Sequence, residues 1–172
     1  MRNFILGLIL GILLVPAGVY FYMGSGRAPV ATSEPMMPFE RRLASLALHA
    51  KLQQEEPQTV PIQTDEATLL AGARIYREDC AMYHGLPNQP PPTVAKGMFP
   101  KCPQLLAPNK GVTDDPPGET FWKAKNGIRL SGMPGFHGSL SDEQLWQVSV
   151  MLANADKLPA PVQQALAARP AK

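Results

Sequence analysis

The sequence has few cysteines and almost no net charge. Only two cysteines, Cys80 and Cys102, occur among 172 residues, so they form at most one disulfide or else serve a cofactor. The formal net charge is +2, and the lysines and arginines are scattered along the chain rather than grouped. This pattern argues against nucleic-acid binding, and we expect no nucleic acid among the partners.

The sequence motifs of stand-alone enzymes are also missing. We find no Ser/His/Asp arrangement, no phosphate-binding loop and no pair of carboxylates placed for acid–base catalysis. We therefore do not expect this chain to be an enzyme by itself.

Proline, in contrast, is abundant and limits where helices can form. Of the 19 prolines, 17 crowd into residues 29–38, 57–61, 87–117 and 159–170. Because proline interrupts regular secondary structure, only the windows between these stretches remain for long helices. The length allows one modest domain with appendages.

The N-terminal segment is a long apolar run. Residues 4–23 carry no charge and are mostly large and apolar. As a helix, the run is about one bilayer thick. It exceeds the core of a cleavable signal peptide, and no clear cleavage site follows, so we favour a membrane anchor in residues 1–26 over a cleaved signal. Arg2 favours a cytoplasmic N-terminus, which predicts a soluble domain on the periplasmic side of the membrane.

Residues 27–62 are predicted to link the anchor to the domain. The first part, residues 27–38, is rich in Pro, Ala, Ser and Thr and reads as disordered. Residues 39–56 lack proline and glycine, and their apolar side chains fall on one stripe, which indicates an amphipathic helix. Three roles fit this helix: a spacer, a membrane-surface helix, or a brace against the main domain.

Three helices are predicted in the main domain, residues 63–158. The first begins at the N-cap signal of residues 64–66 and reaches about Asp79. The second covers about residues 119–126, and the third begins at a capping box of Ser141 and Gln144. These three helices indicate a small all-α domain.

The domain also contains a long irregular segment, and a tail follows it. Residues 85–118 are rich in proline and glycine and show no periodic pattern. A loop of this length inside a compact domain usually has a function. We assign residues 159–172 to a C-terminal tail, because Pro159 and Pro161 end any continuation of the last helix.

The segment Cys80–Ala81–Met82–Tyr83–His84 resembles the haem-attachment motif C-x-x-C-H of the class I c-type cytochromes. In that family two cysteines bind the haem covalently and the adjacent histidine ligates iron. This chain departs from the motif at one position, because Tyr83 stands where the second cysteine belongs.

Other segments resemble the same family in the same order. Gly72 and Tyr76 precede Cys80 at the spacing of the family's first helix, in which the glycine lets the C-terminal helix cross closely. The family's sixth ligand is a methionine in a Gly- and Pro-rich loop before the last helix, and residues 128–136 resemble that loop, which implies Met133 as the ligand. Pro103 resembles the family proline whose carbonyl accepts a hydrogen bond from the ligating histidine.

The resemblance implies a cytochrome c-like fold and one haem c. His84 and Met133 are the implied iron ligands, with Cys80 and Pro103 completing the haem-binding set. A His/Met pair fills both axial positions of the iron, which favours electron transfer over catalysis. We therefore predict a membrane-tethered electron carrier that serves redox partner proteins, which the sequence does not identify.

The missing second cysteine leaves three arrangements open. We favour a single thioether through Cys80. Alternatively, Cys102, which precedes Pro103, forms a second thioether or a disulfide with Cys80. With Cys80 in a disulfide, the haem would be bound non-covalently or be absent.

Two other functions also remain open. Cys80, His84, Cys102 and Met133 are a soft ligand set suited to copper, so a haem-less relative that binds copper or acts as a structural module is one alternative. An electron-delivering subunit of a membrane redox complex is another.

Overall fold

The computed structural model describes residues 1–107 and 111–168 of the chain. It divides the chain into two compact units, Met1–Ala44 and Ser45–Lys172. All regular elements in the described residues are helical, apart from an isolated β-bridge between Ile128 and Met133. This agrees with the predicted all-α class.

The first unit contains the long apolar helix α1 (Arg2–Gly24) and the start of α2 (Glu40–Glu55). No residue of α1 is buried, and the helix is long and apolar enough to cross a membrane. Its position at the N-terminus fits the predicted membrane anchor. Helix α2 closely matches the helix predicted for residues 39–56.

Within its described residues, the second unit contains the end of α2 and six further α-helices. In chain order these are α3 (Glu66–Ile75), α4 (Ala81–His84), α5 (Thr93–Lys96), α6 (Pro117–Asn126), α7 (Asp142–Ala153) and α8 (Ala160–Ala167). The predicted start signals are present in the structure. The Asp65 side chain accepts a hydrogen bond from the Thr68 N–H, and Ser141 and Gln144 form both hydrogen bonds of a capping box.

The core forms where α3 crosses α7. At the crossing, a Cβ added to Gly72 would lie 2.2 Å from the Gln147 carbonyl oxygen, so only glycine allows the two backbones to come this close. Tyr76 and Met151 are fully buried beside the crossing. The close approach expected from the position of Gly72 is therefore confirmed.

The first helix does not reach Asp79 as a regular α-helix. After Ile75 the chain makes a π-helical turn, Tyr76–Cys80, and then continues as α4 to His84. A π-helical turn contains one extra residue, so it changes the direction of the side chains that follow it. It leads directly into the Cys80–His84 segment.

The predicted tail contains helix α8, which packs against α3. Val162 and Leu166 are buried in the same core as Tyr76. Pro159 and Pro161 lie at the N-terminus of α8, where proline is well tolerated because the first N–H groups of a helix need no partner within it. The two prolines therefore begin a helix, whereas α7 has already ended at Ala153. The rest of the tail, residues 169–172, lies outside the described residues.

Candidate functional site

His84 ends the short helix α4 and is half-buried. Its Nδ1 atom lies 2.8 Å from the carbonyl oxygen of Pro103. Since a carbonyl oxygen only accepts, Nδ1 carries the proton and donates it in this hydrogen bond. The other ring nitrogen, Nε2, is left with its lone pair. The hydrogen bond expected between His84 and Pro103 is therefore present.

The surroundings also keep the His84 ring neutral. Burial lowers its pKa, and the hydrogen bond to Pro103 opposes this shift only in part. A neutral imidazole with the proton on Nδ1 is the form that binds a metal ion through Nε2. The fixed tautomer and the lowered pKa thus both favour a ligand role for Nε2.

Tyr76 connects the π-helical turn to the end of the motif. Its hydroxyl donates a 2.7 Å hydrogen bond to the carbonyl oxygen of Gly85, the residue after His84. The Tyr76 side chain is completely buried, and burial raises the pKa of its hydroxyl. This internal hydrogen bond holds the Cys80–His84 segment against the core.

Cys80 lies at the end of the π-helical turn and packs against the main core. Burial, and to a lesser degree the charge of Asp79, raises the pKa of its thiol to about 12. Neither Cys80 nor Cys102 is in a disulfide in this structure. The structure thus does not contain the Cys80–Cys102 disulfide, and the thioether arrangements remain predictions.

Cys102 lies next to the ligand candidate. Its Sγ atom is 3.3 Å from His84 Nδ1 and 3.9 Å from the Pro103 carbonyl oxygen. Burial raises the pKa of this thiol also. The sequence predicts that Cys102 is near His84, but it does not predict a direct contact with Nδ1.

A cleft of about 130 Å³, partly open to solvent, lies beside His84. Its other lining residues include Leu86, Leu106 and Gln104. The Nε2 amide nitrogen of Gln104 is buried and has no hydrogen-bond partner in the described part of the chain. Polar and apolar residues line this cleft in equal numbers, and Met133 is not among them. A histidine beside leucines and an unpaired donor suits one edge of a mainly apolar group that carries hydrogen-bond acceptors, as haem does with its carboxylates.

The loop that contains Met133 is closed by tight contacts at both ends. Ile128 N–H donates to the Met133 carbonyl oxygen over 3.1 Å. Just outside this bridge, a Cβ added to Gly127 would lie 2.6 Å from the Gly135 nitrogen. Gly127 also has φ +70°, a conformation that L side chains rarely adopt. These contacts fix the backbone on which Met133 is placed.

Met133 itself is half-buried, and its N–H donates to Ser131 Oγ over 3.2 Å. A second methionine approaches the same loop, because a Cβ added to Gly132 would lie 3.0 Å from Met98 Cε. Met98 belongs to the irregular segment of residues 85–118. The structure thus associates two thioether side chains with this loop.

The other histidines have ordinary surface environments. His137 is exposed, and both its N–H and its Nδ1 approach the Lys125 carbonyl oxygen, at 3.2 Å each. His49 is exposed on α2. Neither shares a described contact with His84.

Comparison with known proteins supports the resemblance drawn from the motifs. Residues 67–150 match the protein family described as "Cytochrome C oxidase, cbb3-type, subunit III". The match supports a monohaem c-type cytochrome domain in this part of the chain, and with it electron transfer and haem binding. No curated protein matches the sequence.

A solved structure shows a more distant likeness. A chain of the reducing HAO-like protein complex of Kuenenia stuttgartiensis is 22% identical, with a TM-score of 0.48, and the match covers 73% of this chain and 66% of that chain. This likeness is too distant to indicate a function.

Proposed function

We propose that the chain is a membrane-tethered electron carrier that binds one haem c, attached through Cys80 alone. In this proposal His84 and Met133 are the axial ligands of the haem iron. The observation that carries the proposal is the hydrogen bond from His84 Nδ1 to the Pro103 carbonyl, because it leaves Nε2 free for a metal ion. The match of residues 67–150 to a cytochrome family supports the same assignment.

When bound, haem would supply an iron ion that alternates between the ferric and ferrous states. The residues of the chain control this chemistry through ligand type and position. A thioether from Met133 favours ferrous iron and raises the reduction potential, while a histidine with an acceptor at Nδ1 is a stronger electron donor. The closed loop around Met133 and the buried Tyr76 hydroxyl limit movement of both ligand segments, which suits fast and repeated electron transfer.

Covalent attachment is tested by mass spectrometry of the full-length chain produced with a haem-attachment system. We expect the denatured protein to be heavier by the mass of one haem. Cys80→Ala should lose this added mass under denaturing conditions, whereas Cys102→Ala should keep it. An unmodified mass for the parent chain would contradict the proposal.

We further propose that the domain faces the periplasm, anchored by α1. The exposed apolar surface of α1 supports its role as the anchor. Arg2 at the N-terminal end of α1 supports this orientation. In spheroplasts, added protease should degrade the domain and leave a cytoplasmic control protein intact. Protection of the domain in intact spheroplasts would contradict the orientation.

A second candidate is that the carrier works as a subunit of a membrane redox complex. The description of the matching family, which names a subunit of an oxidase, favours it. Solubilisation of native membranes in mild detergent should then release the chain in an assembly well above its mass of 18.7 kDa. Migration as a monomer would favour an independent carrier.

A further inference from the structure

The two cysteines have clearly different surroundings. Cys80 is at the end of the π-helical turn and belongs to the motif itself, four residues before His84. Cys102 approaches His84 from another segment, with its sulphur 3.3 Å from Nδ1. This difference in position indicates a difference in role.

The tautomer of His84 decides what Cys102 can do. Nδ1 carries a proton because its nearest partner, the Pro103 carbonyl oxygen at 2.8 Å, can only accept. The Cys102 sulphur at the same nitrogen can therefore only be a second, weaker acceptor for this N–H. The thiol hydrogen is free to point towards the Pro103 carbonyl, 3.9 Å away.

The position also bears on covalent attachment. Nδ1 and Nε2 point away from the imidazole ring in different directions. A group that contacts Nδ1 therefore lies on the side of the ring that faces away from a metal ion at Nε2. Cys102 is consequently poorly placed to bond to the edge of a macrocycle whose metal is held by His84. Cys80 is left as the attachment residue.

We propose, on the basis of the proposed haem function, that Cys102 is a positioning residue for His84 and forms no covalent bond. Its sulphur shares the Nδ1–H with the Pro103 carbonyl and restricts rotation of the ring. Partners at the outer nitrogen of a ligating histidine raise its basicity and orient it. A more basic histidine stabilises ferric iron, so the presence of Cys102 lowers the reduction potential.

The first test compares the reduction potentials of full-length haem proteins. Cys102→Ala removes the second acceptor, so its reduction potential should be higher than that of the parent chain. Its iron–histidine stretching frequency, measured on the reduced protein in a Met133→Ala background that frees the sixth position, should be lower. Cys102→Ser keeps an acceptor on a shorter arm and should give intermediate values. Val94→Ala, an exposed change on α5, is the control and should leave both values unchanged.

The second test determines the covalent state of each cysteine. The purified haem protein is denatured without reductant, treated with iodoacetamide and digested. We expect the Cys102 peptide to be alkylated and the Cys80 peptide to carry the haem. A haem on the Cys102 peptide, or alkylation of Cys102 only after reduction, would overturn the inference.

The two proposals fail in different ways. A full-length chain that binds no haem contradicts both the haem function and the role of Cys102. A haem-loaded chain in which Cys102→Ala and Cys102→Ser leave the potential and the stretching frequency unchanged contradicts the role of Cys102 alone.

Discussion

Individual residues determine which side chains can serve as ligands. At His84 a single backbone carbonyl, that of Pro103, decides which ring nitrogen is protonated. At Met133, the other proposed ligand, the backbone is fixed by the Ile128–Met133 bridge, and Met98 lies close to the neighbouring Gly132. The hydrogen bond of His84 thus selects one ring nitrogen, whereas two methionines lie near the loop proposed to supply the other ligand.

The methionine ligand is tested by substitution. Met133→Ala should retain covalent haem but lose the weak far-red absorption band of Met–iron ligation in the oxidised protein, and its reduction potential should fall because the thioether is lost. Met98→Leu is the matched control, since it replaces a thioether by an apolar side chain of similar volume beside the same loop. Loss of the band in Met98→Leu and its retention in Met133→Ala would assign the ligand to Met98 instead.

Sequence motifs predict part of this arrangement. The spacing of residues 80–84 predicts His84 as an iron ligand. The resemblance of Pro103 to a family proline predicts the hydrogen bond between His84 and the Pro103 carbonyl. The contact between Cys102 and Nδ1 could not be predicted in the same way, because it depends on the path of the irregular segment before Cys102. The buried, unpaired amide of Gln104 likewise has no signal in the sequence.

Among the helices, sequence signals correctly predict the features that depend on hydrogen bonds between residues close together in the chain. The capping box at the start of α7 is an example, because its two hydrogen bonds join Ser141 and Gln144, which are three residues apart. The crossing of α3 and α7 is also visible in the sequence through Gly72. The π-helical turn and α8 were missed, since the first depends on tertiary packing and the second begins at prolines, which mark the start of a helix as well as its end.

The capping box gives a prediction for stability. Ser141→Ala removes the side-chain acceptor for the Gln144 N–H, so the free energy of unfolding should fall by about 1 kcal/mol. For a domain of this size that is roughly a 4–8 °C decrease in Tm. Thermal unfolding followed by circular dichroism measures it. Ser139→Ala is the control outside the cap and should change Tm little.

The helix crossing gives a second prediction, in which the sign of the stability change shows whether the two helices cross closely. Gly→Ala inside a helix normally stabilises by about 1 kcal/mol. At Gly72 the added Cβ meets the Gln147 backbone, so we expect Gly72→Ala to destabilise by about 1–3 kcal/mol or more. Urea unfolding measures the change. Gly138→Ala, where no atom lies within 4 Å of an added Cβ, is the control, and equal stability of the two variants would contradict the close crossing.

At the scale of the whole molecule, the compact unit extends beyond the predicted domain of residues 63–158. Leu52 near the end of α2 is only 3% exposed. Glu55 accepts a 3.1 Å hydrogen bond from Trp122 Nε1, and the Pro57 carbonyl lies directly over Gly118. The last turns of α2 therefore brace α6, which was one of the three roles considered for this helix.

Truncation tests this brace. A chain that begins at residue 45 should be more stable than one that begins at residue 63, because only the longer one keeps Leu52, Glu55 and Pro57 in their contacts. Leu52→Ala in the longer chain should cost about 2–5 kcal/mol, as is typical of buried leucines. Leu43→Ala in the full-length chain, at a 63% exposed position of the same helix, is the control. Equal unfolding free energies for the two truncated chains would contradict a bracing role.

An absorption spectrum tests most directly whether this chain holds one haem iron between an imidazole and a thioether. Full-length protein, purified in detergent after production with a haem-attachment system, is recorded oxidised and then reduced. We expect a sharp Soret band in both states, with the far-red band of Met–iron ligation present only in the oxidised protein and absent in Met133→Ala. A spectrum without a Soret band, or one with the far-red band unchanged in His84→Ala and Met133→Ala, would contradict the account.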